Sequence, residues 1–150
     1  MLTANDFVSF VKAMVGQPYW YGTCGYRCTE DLRQRKAKQY PSHYGTDRTS
    51  TYKRHILEKK ICCDCVGLIK AFFWSNGGKE LIAAIGNGKS FPSKYKSNGM
   101  PDRSANGLFQ WAKSNGCKYG TISTLPNVRG IILHSNAHVG VYIGNGYAVE

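Results

Sequence analysis

Cys65 opens the run Asp64-Cys65-Val66-Gly67-Leu68, and from there to Trp74 the chain is apolar on nearly every side. Far downstream, His138 opens the alternating run His138-Val139-Gly140-Val141-Tyr142-Ile143. A thiol at the start of a helix and an imidazole on a half-buried strand are the parts of a cysteine nucleophile and its general base. The thiolate is the reactive species, and a helix N-terminus and an imidazolium neighbour each lower a thiol's pKa. The helix dipole favours an exposed thiolate by on the order of 0.3–1 kcal/mol. The first helical amides can also face a developing oxyanion. Cleavage of an acyl derivative is the chemistry this pair predicts.

A third group follows from the turn Gly144-Asn145-Gly146. If Asn145 and Gly146 alone form the loop, Glu150 falls opposite Val141 and points away from His138. With all three residues in the loop, Gly140 pairs with Glu150. Then His138, Gly140, Tyr142 and Glu150 share one face, and Val139, Val141 and Ile143 fill the other. In that register Glu150 is the diagonal neighbour of His138, placed to orient the ring and stabilise its charged form. Gly140 keeps the space between them open.

The elements that must hold these groups are readable from period and punctuation. Residues 3–16 read as an amphipathic helix, with Thr3 and Asp6 at capping-box spacing, a stripe of Phe7, Phe10, Val11, Met14 and Val15, and Gly16 as its stop. Tyr19 to Gly25 turns the chain. Residues 26–60 carry ten Lys and Arg against four acids; weak helical character runs from Glu30 to Gln39, followed by loop, as in a mobile insertion or a surface subdomain. A buried helix from Cys65 ends at Asn76-Gly77-Gly78. Shorter helices are expected over Glu80–Ile85 and Ser104–Ser114, and strands over Gly130–Leu133, His138–Ile143 and Tyr147–Glu150. Helices first and strands last predict an α+β fold in which N-terminal helices, the nucleophile helix among them, pack on a C-terminal antiparallel sheet.

The chain has 150 residues, enough for one domain over 1–150 with its own core. No stretch of about 18 apolar residues occurs, so no membrane span is expected. Asp6 and Lys12 interrupt the apolar start, unlike a secretory signal, and synthesis in the cytoplasm is expected. The net charge of +11 suits polyanions: nucleic acid, anionic membrane or an anionic wall polymer. Cys24 and Cys28 are three residues apart and Cys62 and Cys63 are adjacent, which is a poor zinc pattern. With Cys117 they read as small buried or partly exposed thiols, and no metal or cofactor is expected. His43, His55 and His134 read as surface or structural residues.

Three segments resemble the NlpC-type peptidoglycan cysteine peptidases, a papain-like family. The family's Gly-x-Pro-Tyr-x-x-Gly stands here as Gly16-Gln17-Pro18-Tyr19-Trp20-Tyr21-Gly22, and its Asp-Cys-Ser-Gly-Leu as Asp64-Cys65-Val66-Gly67-Leu68. Its His-Val-Gly-Ile-Tyr-Ile-Gly-x-Gly matches His138 to Gly146 with Val141 for Ile. The resemblance implies Cys65 as nucleophile, His138 as base then acid, Glu150 as third polar residue, and Tyr19 and Asp64 as site support or substrate contacts. It also implies hydrolysis of an amide in a peptidoglycan stem peptide by an endolysin-type endopeptidase, phage or prophage in origin, acting as a monomer at the wall after release or export. An N-acetylmuramoyl-L-alanine amidase and a basic nucleic-acid-binding module are the rival readings. The chain departs from the family in the long 26–60 segment, in Val66 for Ser, in Glu150 for the usual His, Asn or Gln, and in ending at Glu150 where another strand is usual. That last departure fits a catalytic domain truncated at its C-terminus.

Overall fold

The computed structural model describes residues 1–86 and 94–150, a mixture of helix and sheet in which both sheets are antiparallel. Helix α1 (Ala4–Ala13) starts at a capping box. Thr3 Oγ1 accepts from the Asp6 amide at 3.1 Å, and Asp6 Oδ2 accepts from the Thr3 amide at 3.0 Å. Aspartate therefore closes the box in place of the commoner glutamate. Phe7, Phe10 and Val11 are buried on its inner stripe, and Val15, expected on that stripe, is 65% exposed because the helix has already ended.

The first half is not purely helical. Strands β1 (Cys24–Arg27) and β2 (Ile61–Cys63) pair antiparallel, with Cys24 opposite Cys63 and Tyr26 opposite Cys62. Strands of four and three residues without alternation carry too little period to be read in advance. Between them, α2 (Glu30–Gln39) has the expected bounds, while the expected loop after it contains α3 (Thr49–Leu57). That helix fully buries only Tyr52, so it leaves almost no apolar stripe in the sequence.

The basic segment is a packed subdomain with its own apolar cluster of Trp20, Cys28, Leu32, Tyr44, Tyr52 and Cys62. The Trp20 ring meets Tyr52 edge-on with centroids 5.1 Å apart. The β1–β2 pair closes its base, so the insertion leaves and re-enters the fold at one place.

The helix α4 (Cys65–Trp74) buries nine of its ten residues. Helices α5 (Lys79–Ala84) and α6 (Ala105–Ser114) follow, the second capped by Ser104, whose hydroxyl accepts from the Gly107 amide. Strands β3 (Ile131–Ser135), β4 (His138–Gly144) and β5 (Tyr147–Val149) form one sheet in that order. Both α1 and α4 pack against β4. Val139 and Val141 join Phe10, Ile69, Phe72 and Leu81 in the main core. Each such side chain contributes roughly 1.5–3 kcal/mol by leaving water.

The hairpin reaches the expected register by a different route. Asn145 and Gly146 alone form the loop, both with positive φ, and Gly144 pairs with Tyr147. A bulge between Tyr142 and Gly144 absorbs one residue, so Tyr142 pairs with Ala148 and Val141 with Val149. Gly140 therefore comes opposite Glu150, as a three-residue loop would have placed it.

His55 ties α3 to the rest: its Nδ1 accepts from the Trp20 indole at 3.1 Å, which requires that nitrogen unprotonated. Burial, then the Arg54 charge, push its pKa below 6.5. The unfolded chain binds that proton first, so the stability is complete above about pH 6.5 and falls as pH drops below it. Unfolding midpoints at pH 7.5 and 5.5 should show a loss of under about 1 kcal/mol, because the ring is partly solvated. His55→Gln, which keeps an acceptor that does not titrate, should lessen that loss.

Candidate active site

Asp64 fixes the start of α4. Oδ1 accepts from the Gly67 amide at 2.6 Å as the helix cap, Oδ2 accepts from the Gly22 amide at 2.9 Å, and the Asp64 amide donates to the Thr23 carbonyl at 2.9 Å. One carboxylate thus staples the loop after Tyr19 to the helix N-terminus. Burial pushes its pKa up against the two amide bonds, which lower it. Gly67 allows the approach: a Cβ there would sit 1.8 Å from the Thr23 carbonyl oxygen.

Residues 18–20 run beside β2 in a parallel bridge, with the Cys63 amide donating to Pro18 O and the Trp20 amide to Cys63 O. Tyr19 is thereby carried to Cys65. Its phenol's pKa is pushed well up, by burial first, then by the neighbouring Cys65 and Asp64, with which it makes polar contact at Cys65. It stays a neutral phenol beside the thiol. Cys65 itself is 7% exposed.

On β4, His138 Nε2 lies 3.3 Å from Glu150 Oε2, with the side chains 39% and 64% exposed. A Cβ on Gly140 would meet Glu150 Cγ at 3.0 Å, so a glycine there gives the carboxylate room to reach the ring. The expected residues thus stand as two groups, Cys65 with Tyr19 and Asp64, and His138 with Glu150, on elements packed against each other.

Two hollows flank Tyr19 and Asp64, which line both. The larger, about 540 Å³, takes in Cys65, the α2 residues Lys36 and Gln39, Lys70, Asp102 and Ala137. The smaller, about 270 Å³, runs from Tyr19 and Asp64 to Ala148, Val149 and Glu150. His138 lines neither hollow in this structure.

Three features were not foreseen. Asn106, on α6, holds the turn before His138: Oδ1 accepts from the Ala137 amide at 2.8 Å and from His134 Nε2 at 2.9 Å, and Nδ2 donates to Asn136 at 3.1 Å. Because Oδ1 only accepts, His134 carries its proton on Nε2. Ala137 sits at φ +59, a left-handed conformation costly for alanine, and Asn106 pins it there. Lys70, buried within α4, pairs with Asp102 at 2.6 Å, and Asp102 also accepts from Tyr95 at 2.9 Å. The third is Lys36, on α2, which lines the larger hollow with Lys70. A single asparagine or lysine has no sequence signature for such a place, since only the fold brings it to a cleft.

All six cysteines are free; Cys24, Cys28, Cys62, Cys63 and Cys65 are buried and Cys117 is exposed. Among the described residues no cluster of three His, Cys, Asp or Glu could hold a metal ion, and no helix is long and apolar enough to cross a membrane. No family model, curated protein or solved structure matches this chain.

In an ordinary helix, glycine to alanine stabilises by up to about 1 kcal/mol. Gly67→Ala should do the reverse, costing about 1–3 kcal/mol by driving Cβ into the Thr23 carbonyl. Gly107→Ala in α6, whose nearest neighbours would lie at 3.2 Å or more, should be far milder. Urea unfolding of the two variants checks the contrast.

Proposed function

We propose that the chain is a cysteine hydrolase of papain-like architecture that cleaves an amide of the peptidoglycan stem peptide, as an endopeptidase of endolysin type. The observation that carries this is the assembly at the start of α4: a thiol at the N-terminal end of a buried helix, a neutral tyrosine beside it, and His138 on the strand that the helix packs against, paired with Glu150 just past β5. The three sequence motifs supply the substrate class.

The chemistry is acyl transfer. His138 takes the Cys65 proton, the thiolate attacks the amide carbon, and the imidazolium returns the proton to the departing amine, leaving a thioester. Water, deprotonated by His138, then releases the acid and restores the thiol. In this reading Glu150 steadies the imidazolium, and the oxyanion takes hydrogen bonds from the Tyr19 hydroxyl and from the α4 amides that the Asp64 cap leaves free. Proton transfer needs the imidazole about 3 Å from the sulfur. The His138 side chain is 39% exposed, and the reading requires its ring to turn to the thiol. The site of action is the cell wall, reached after release or export.

The basic insertion supports wall attachment, because α2 and α3 expose Arg35, Lys38, Lys53 and Arg54 on their outer sides. Cys65→Ala should retain the fold and lose wall lysis by about 10³-fold or more, followed as turbidity of a cell-wall suspension. Mass spectrometry of products separates the two amides: sugar-linked stem peptide marks an endopeptidase, free glycan an amidase. An active Cys65→Ala variant would sink the reading. Reversing Arg35, Lys38, Lys53 and Arg54 to Glu should weaken binding to whole walls and flatten its salt dependence, with hydrolysis of a soluble peptide retained. Unchanged binding removes the electrostatic role.

A further inference from the structure

Among the described residues, no carboxylate forms an ion pair with the Lys36 ammonium. It stands on α2, half-buried in the wall of the larger cleft. Its polar partner is the Gln39 side-chain oxygen at 3.2 Å, and the Tyr40 ring lies under it at 5.6 Å. Burial pushes its pKa down, and Cys24 and Asp64 on the cleft floor are near enough to act on it. A partly desolvated cation whose hydrogen-bond partner is neutral gains from an incoming anion.

The acids of the cleft are already committed. Asp102 is held by Lys70 and Tyr95, and Asp64 by two backbone amides. Among the described residues, the cleft cations without an ion-pair partner are Lys36 and Arg103, and Arg103 is exposed on the opposite side. Lys36 is the one partly removed from water, where a charge-assisted hydrogen bond is strongest. Tyr21, Tyr26 and Tyr40 share the lining.

We infer that Lys36 forms an anion subsite that receives a carboxylate of the bound peptide while its amide lies at Cys65. This rests on the hydrolase reading and adds the part played by the insertion: beyond attracting a wall, it supplies one side of the substrate cleft. A peptide carboxylate suits the site better than polymer phosphate, because the lysine lies inside a confined cleft and not on the exposed outer side of α2.

The test uses the full chain carrying Cys65→Ala, so that peptide is bound and not consumed. Calorimetry compares a stem tripeptide bearing a free α-carboxylate on its D-glutamate with the same peptide amidated there. The acid should bind about tenfold more tightly. Adding Lys36→Gln should bring the two affinities together, and Lys36→Arg should restore the preference. A preference that survives Lys36→Gln, or binding of neither peptide, overturns the subsite. Glycerol phosphate binding as tightly as the acid peptide and depending equally on Lys36 overturns the assignment to carboxylate. Hydrolysis by the unmutated chain is scored separately: a Lys36-dependent preference without hydrolysis retains the anion subsite and overturns the hydrolase reading.

Discussion

The staple made by Asp64 is the constraint on which the rest of this molecule depends. A partly buried carboxylate that accepts from both Gly22 and Gly67 joins the loop before β1 to the start of α4. Remove either amide and a partly buried acid is left short of a partner, at a cost on the order of 1–3 kcal/mol. The same contact shapes the candidate site. It fixes the first turn of α4, so Cys65 and its neighbouring amides face the cleft, and it fixes the loop that brings Tyr19 to the thiol. Gly67 is part of this device, because no side chain fits between the helix and the Thr23 carbonyl.

That dependence explains which parts were legible in the sequence. The Asp-Cys-x-Gly-Leu run encodes cap, nucleophile position and close approach in five consecutive residues, and α4 begins and ends at the expected places. The C-terminal sheet was legible in part: Val139 and Val141 alternate with His138 and Gly140 and point into the core, while packing also covers Gly140 and Tyr142 on the other face, which period two alone does not show. What stayed hidden was structure made by contact between distant residues. The β1–β2 pair is short and joins segments some forty residues apart, and α3 folds by laying one tyrosine against Trp20. Asn106 becomes meaningful only once α6 brings it beneath the β3–β4 turn. The turn itself shows how a correct register can follow from an incorrect loop, since a bulge and a third loop residue shift the partner strand equally.

The basic segment gains a second meaning from its packing. Read as composition, ten Lys and Arg in residues 26–60 suggest only a polyanion-binding surface. Its aromatic cluster instead fixes α2 against the Tyr21–Gly22 loop, where a Cβ on Gly22 would collide with the Tyr40 ring. The charges then divide by position. Those on the outer sides of α2 and α3 are solvated and screened within about 10 Å at ordinary salt, which suits loose attraction to a polymer. Lys36, turned into the cleft, is partly shielded from that screening and suits recognition of one group at one place.

The proposed catalytic groups differ in the same way. Cys65 is buried and fixed by helix, staple and core, whereas His138 and Glu150 lie on a surface hairpin with solvent on one side. An exposed His–Glu pair is weak in free energy, worth roughly 0–1 kcal/mol, and so can rearrange at little cost. A substrate that fills the hollows beside Tyr19 excludes water from this pair and strengthens it where the proton must move. For the proposed acyl transfer, rigidity is needed at the sulfur, because an oxyanion would form at one point in space. In the same proposal mobility is tolerable at the imidazole, which would meet first the thiol, then the departing amine and then water. Asn106 confines that mobility to the ring, by pinning the Ala137 backbone from which His138 extends.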